Sequence, residues 1–335
     1  MINQVLRRFY LFGFCFFGFL SIAGAFVDDR LRNYRISEYQ SFQNVAIGSM
    51  KEHEKRILGL SDRSFSLSQS SQLVNQLACQ NFFMVFKDKQ VIQIGIFFGY
   101  INEKIYALDI LLAATVEKYL TSPCELNQQN FVCGFSPSVI DSGVFSKNVT
   151  WPDRTQRKVE VFIEFPALTI LDTVNRRQPL AAQNKKSEAV RQAFIAALKT
   201  MDAVIYDGHV RYGGGPDFFP EKMRNADDGD DQYYKKNKAG LHDVLNALNA
   251  RENGSLPFLV MNSCMSEQHI HGPLQKNQKP PMMAIVNNSL TTPSKGFPIY
   301  PEVLNIFLRG QCPFDQPLIE YFLLKRYKNE DSLKN

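Results

Sequence analysis

The chain has 335 residues, a formal net charge of +5, 44% apolar residues and 12% aromatic residues. That composition buries a sizeable core and excludes a disordered chain. No Lys/Arg block reaches the density of a nucleic-acid footprint, so nucleic acid is set aside as a partner.

Arg7 and Arg8 precede the apolar stretch FYLFGFCFFGFLSIAGA, which ends in Ala23-Gly24-Ala25. A positive start, a short apolar run and an A-x-A-like end are the pattern of a signal peptide over residues 1–25. The alternative is a membrane anchor, but the run is short for a span of about 20 residues. Cleavage implies an exported chain, periplasmic or extracellular, with no stable membrane span afterwards. The mature chain would keep Cys79, Cys124, Cys133, Cys264 and Cys312. An oxidising compartment allows disulfides, and an odd count leaves at least one thiol within a monomer. Cys124 and Cys133 flank a polar segment and are the expected bridge. Cys264 is the expected thiol.

Residues 29 to 70 are polar and mixed, with a helix-like charge pattern around MKEHEKRILGL. NFFMVF and QVIQIGIFF, separated by KDK, read as a hairpin. YALDILLAATVEKYL fits helix or strand. Residues 134 to 157 are rich in Ser, Gly, Pro and Asn and read as a boundary or long loop. An α+β domain over 26–155 and an α/β domain over 156–335 follow from this division.

From residue 158 the pattern alternates. KVEVFIEF places Val159, Val161, Ile163 and Phe165 on one face of a strand. Val190, Phe194, Ala197, Leu198 and Met201 recur at helical spacing, and AVIY follows as a strand. Leu241, Val244, Leu245 and Leu248 share a helical face, with Asn253-Gly254 as a stop. FLVMN and MMAIV are strands, and PEVLNIFLRG is a helix with Pro301 at its start and Gly310 at its end. PLIEYFLLKRYK reads as a closing helix. Strands alternating with helices predict a mostly parallel sheet flanked by helices, with ligands beyond the carboxyl ends of its strands.

Two of those strand ends carry chemistry. AVIYDGH ends in His209, and FLVMNSC ends in Cys264. Neighbouring strands lie about 4.8 Å apart, so adjacency would bring the two side chains together. An imidazole activates a thiol toward a carbonyl, and glycine-rich backbone can supply N–H donors to the resulting oxyanion. Gly208, Val210, Gly213 and Gly214 are the near-site residues for that role. Asp207, Arg211 and Asp217 lie close by in sequence and are candidates for a substrate pocket.

This layout resembles the caspase–gingipain–legumain group of cysteine peptidases over roughly residues 158 to 310. The RYGGGPDF loop is similar to that of secreted bacterial relatives. The resemblance implies a caspase-like fold, Cys264 as nucleophile, His209 as general base, a glycine N–H at the oxyanion, and a peptide or protein substrate. No cofactor is implied. Val210 departs from the group, which has Gly after the histidine, and its side chain is expected to narrow the site. A non-catalytic binding module on the same scaffold therefore stays open. So does a metal-dependent hydrolase, because His269 and His271 follow Cys264 and zinc accepts His and Cys ligands. NADDGDD, residues 225–231, is acidic but lacks a calcium-loop pattern and reads as a solvated loop.

Overall fold

The computed structural model describes residues 29–60, 79–80, 82–103, 106–124, 131–170, 175, 180–224, 229–252, 254–289, 297–310 and 322–326. The expected signal peptide, Asn225–Asp228 of the acidic segment, and Cys312 lie outside these residues. Two compact units divide at Asn44/Val45. The described part of the first is the leading stretch of helix α1 (Asp29–Leu60); the second holds the rest of the chain. No helix among the described residues is long and apolar enough to cross a membrane.

The strands in chain order are β1 (Val91–Phe98), β2 (Asn102–Glu103), β3 (Tyr106–Ala107), β4 (Ser136–Pro137), β5 (Val144–Thr150), β6 (Gln156–Glu164), β7 (Ala203–Asp207), β8 (Phe258–Asn262), β9 (Met283–Asn287) and β10 (Phe322–Arg326). Eight of them form one sheet in the order β10-β9-β8-β7-β1-β6-β5-β4. β6, β1, β7, β8 and β9 run parallel, and β10 and β5 pair antiparallel at the two flanks. The chain is therefore α/β, with a mostly parallel sheet flanked by helices.

Four expectations change. The sheet crosses the boundary placed at 155/156, because β1 lies at its centre between β6 and β7. Residues 134–157 are not a loop; they contain β4, β5 and the start of β6. The hairpin is absent: β1 pairs only with parallel partners, while Phe82 and Phe86 sit one helical turn apart and pack on Phe307. The closing helix is β10, whose run FLLKR pairs with the edge of β9.

Strand alternation gives the sheet two buried faces. On one face Phe97, Val204, Tyr206, Leu259, Met261, Ala284 and Val286 pack against Val190, Phe194, Ala197 and Leu198 of helix α3 (Leu180–Thr200). Val244, Ala247 and Leu248 of helix α5 (Ala239–Asn249) join the same cluster. Between these two helices lies the short α4 (Asp231–Asn237), whose N-terminus is capped by the Asp230 side chain. The ambiguous segment near residue 108 is a helix, α2 (Leu108–Thr121). On the opposite face helix α7 (Ile299–Arg309) is buried along nearly its whole length. It ends where Gly310 takes φ 57°, the left-handed cap expected from the sequence. A short α6 (Gly272–Gln275) follows the π-helical turn Glu267–His271 that leaves the Cys264 corner.

Candidate active site

β7 and β8 are adjacent and parallel, with Asp207 opposite Asn262. His209 lies two residues past Asp207, and Cys264 two residues past Asn262. The two side chains therefore leave neighbouring strands at equivalent heights. Both line one cleft of 470 Å³, together with Arg211, Glu221, Met265 and His269. Cys264 is a half-buried thiol, whereas Cys124 and Cys133 are bridged with Cα atoms 5.2 Å apart. Cys79 is disulfide-bonded as well.

Burial, reinforced by the Arg211 charge, pulls the His209 imidazole down to about 4. The ring is thus neutral at pH 7 and can accept a proton. His269 is lowered for the same kind of reason, by burial and by Lys238. Gly213 lets that second ring approach: a Cβ built on it would lie 2.9 Å from His269 Nδ1.

The backbone of His209 is held by a tyrosine that the strand pattern counted only as an apolar residue. The fully buried Tyr206 hydroxyl donates to the His209 carbonyl at 2.7 Å and accepts from the Asp217 N–H at 2.9 Å. Its room comes from two glycines. A Cβ on Gly99 would lie 2.2 Å from that oxygen, and one on Gly208 2.7 Å from it. The Asp217 carbonyl in turn accepts from the Tyr100 N–H at 2.9 Å, stitching the loop to the end of β1.

The glycine-rich loop does not serve as expected. The N–H groups of Gly208, Gly213 and Gly214 already donate to the carbonyls of Asn262, Val210 and Arg211. The glycines are there for close packing and positive φ: Gly213 and Gly215 have φ 81° and 88°. A Cβ on Gly215 would strike the Leu241 backbone nitrogen at 2.0 Å, so only glycine lets this loop lie on the start of α5. Val210 is one of the residues lining the cleft. Its side chain is 3% exposed and belongs to the core cluster with Ile270. Its N–H meets no acceptor among the described residues.

Asp207 is not a pocket residue. It is buried, accepts from Asn262 Nδ2 at 2.9 Å and from the Tyr300 hydroxyl, and ties β7, β8 and α7 together. Burial pushes its carboxyl up to about 6, against the pull of those two donors. Asp217 is occupied too: its Oδ2 accepts from Arg211 Nε at 2.6 Å. Arg211 lines the cleft, but its guanidinium also pairs with Glu221 at 3.1 Å. Among the described residues, no group of three or more His, Cys, Asp and Glu side chains is arranged to hold a metal ion.

Beyond Cys264 the chain turns sharply. Met265 takes φ 53°, its N–H donates to the Ser289 carbonyl at 3.0 Å, and the π-helical turn begins two residues later. A non-glycine residue in that region signals a corner fixed by its surroundings. Sequence reasoning missed Tyr206, Asn262, Tyr300, Glu221 and Met265. A strand ending in polar residues, YD and MN, was the available signal for Tyr206 and Asn262.

No protein-family model matches the chain, and a search of curated proteins finds no match.

Proposed function

We propose that the chain is an exported cysteine endopeptidase of the caspase–gingipain–legumain kind, with Cys264 as nucleophile and His209 as general base. The observation that carries this reading is the pairing of the two residues past adjacent parallel strands, on one cleft. A thiol where Cys79, Cys124 and Cys133 are bridged, on the same cleft as a neutral imidazole, supports it further.

The chemistry runs as follows. His209 accepts the Cys264 proton while the sulfur attacks the peptide carbonyl. The carbonyl oxygen becomes an oxyanion, for which the Val210 N–H is the donor at hand. The tetrahedral intermediate collapses, the C–N bond breaks, and His209 returns its proton to the leaving amine. A water then attacks the thioester, giving its proton to His209; the thiolate leaves as the acid forms, and His209 returns the proton to the sulfur. Burial and the Arg211 charge keep His209 neutral at rest and oppose the imidazolium formed during attack, so the substrate must offset that cost as it seats in the cleft.

The test is cleavage of a denatured protein substrate by wild type, Cys264→Ala, His209→Ala and the double variant. All three variants should be equally inactive, because nucleophile and base act as a unit. Full activity in His209→Ala would overturn the assignment of the imidazole. Activity in Cys264→Ala would overturn the reading altogether.

A further inference from the structure

A second cavity of 670 Å³ adjoins the cleft and shares Glu221 with it. The wall between them is one loop: Gly213 faces the cleft, and Gly214 through Glu221 face the cavity. Pro216, Phe218, Phe219, Pro220, Met223 and Tyr234 give the cavity an apolar and aromatic lining.

The carboxylates around it are already engaged with arginines, while Lys222 and Lys238 also line it without a carboxylate partner among the described residues. Arg191 donates to both carboxylate oxygens of Asp243, at 2.6 and 2.7 Å, and to Glu188 at 3.0 Å. Asp217 and Glu221 are both paired with Arg211. Lys222 Nζ stands 3.7 Å from the centre of the Tyr233 ring. A cationic ligand would have to break one of these pairs to find a carboxylate, and an anionic one would meet only the two lysines at the rim, whereas an apolar group meets most of the lining and needs only to displace water.

The cavity is also built in advance. The Leu241 N–H donates to the Gly214 carbonyl at 2.9 Å, and a Cβ on Gly240 would lie 2.0 Å from the Pro216 carbonyl oxygen. Loop and helix are locked backbone against backbone, so little ordering remains for a ligand to impose. The volume exceeds that of any single side chain, within the range of ordinary ligand pockets.

We infer that this cavity is a substrate subsite for large apolar or aromatic side chains of the peptide whose carbonyl meets Cys264. The inference rests on the peptidase reading for the identity of its occupant, and its test does not depend on turnover. Binding is measured by calorimetry on the Cys264→Ala protein, which cannot consume its ligand. The probes are three capped tripeptide amides of equal length: phenylalanine-leucine-phenylalanine, all aspartate, and all lysine. The apolar peptide should bind at least about tenfold more tightly than either charged one, the yield of partly burying one large apolar side chain. Ala239→Trp and Asn184→Trp, both at exposed lining positions, on α5 and α3, should each weaken the apolar peptide by about the same factor. Both variants in the Cys264-containing protein should leave iodoacetamide alkylation of Cys264 unchanged. Equal affinity for the three peptides, or an apolar preference that survives both blocking variants, overturns the subsite. Selective binding without any cleavage by the wild-type protein would instead retain the subsite and remove the peptidase.

Discussion

Asn262 Nδ2 donates to Asp207 Oδ2 over 2.9 Å, across the carboxyl ends of β7 and β8. This bond joins the two strands two residues before His209 and two before Cys264. The Tyr300 hydroxyl reaches the same oxygen from α7. The two strand ends that carry His209 and Cys264 are thus tied by one buried carboxylate that meets two donors, and the neighbouring Tyr206 hydroxyl fixes the loop beyond them.

That carboxylate makes stability depend on pH in an unusual direction. Burial raises Asp207 from 3.8 to about 6. The folded state therefore binds the proton more tightly than the unfolded state, and the contribution is fully present below pH 3.8 and lost as pH rises through about 6. Asp207→Asn cannot titrate. Between pH 4 and pH 8 the stability of wild type should fall relative to the variant by on the order of 3 kcal/mol. Urea midpoints across that range measure it, and parallel curves for the two proteins would refute the buried carboxylate.

The neutral base is open to a direct check. His209 is held at about 4, well below an ordinary imidazole, first by burial and then by Arg211. Its ring resonances, assigned by comparison with His209→Gln, should stay constant from pH 8 down to about pH 5 and move only below that. A midpoint above pH 6 would replace the neutral base with an imidazolium paired to an anion.

Periodicity made most of the sheet legible. Val204 and Tyr206, Leu259 and Met261, and Ala284 and Val286 alternate as buried strands should, and His209 and Cys264 could be placed past the ends of β7 and β8. Where sequence reasoning failed, tertiary pairing decided. Nothing local in FLLKR says that the edge of β9 will recruit it, and nothing in Phe82 and Phe86 says that Phe307 will meet them. The central place of β1 was hidden for the same reason: its partners, β6 and β7, come more than sixty residues later. The glycine run was recognised as functional in the wrong sense. Its N–H groups are spent in turns, and its positive φ angles and missing side chains are what the fold uses.

The disulfide should contribute stability without touching the dyad. Cys124 and Cys133 close a short loop, with a sequence separation of 9. Lys147 Nζ donates to the carbonyls of Phe131 and Cys133 beside the bridge, at 2.8 and 2.7 Å. Replacing both cysteines by serine removes a constraint on the unfolded chain worth about 3 kcal/mol. Thermal and urea unfolding should register that loss, while the rate of Cys264 alkylation in the folded protein stays as it was. A change in that rate would mean that the bridge and the cleft are coupled.

Tyr206 offers the sharpest separation of packing from positioning. Tyr206→Phe keeps the ring, which packs against Phe194 and Phe218, and removes only the hydroxyl. Two groups then lose their partner: the His209 carbonyl and the Asp217 N–H. Burial of unsatisfied polar groups costs roughly 1–3 kcal/mol each, so the variant should lose about 2–4 kcal/mol in urea unfolding. No cavity larger than the missing oxygen forms, so a loss of this size cannot come from apolar packing. The hydroxyl also restrains the backbone from which His209 projects. Cleavage by the folded variant should therefore drop by a larger factor than in Tyr234→Phe, whose ring stands at the cavity and whose hydroxyl accepts from the Lys222 N–H at 2.7 Å. Equal activity in the two variants, after correction for the folded fraction, would leave Tyr206 a stabilising residue and remove it from the positioning of His209.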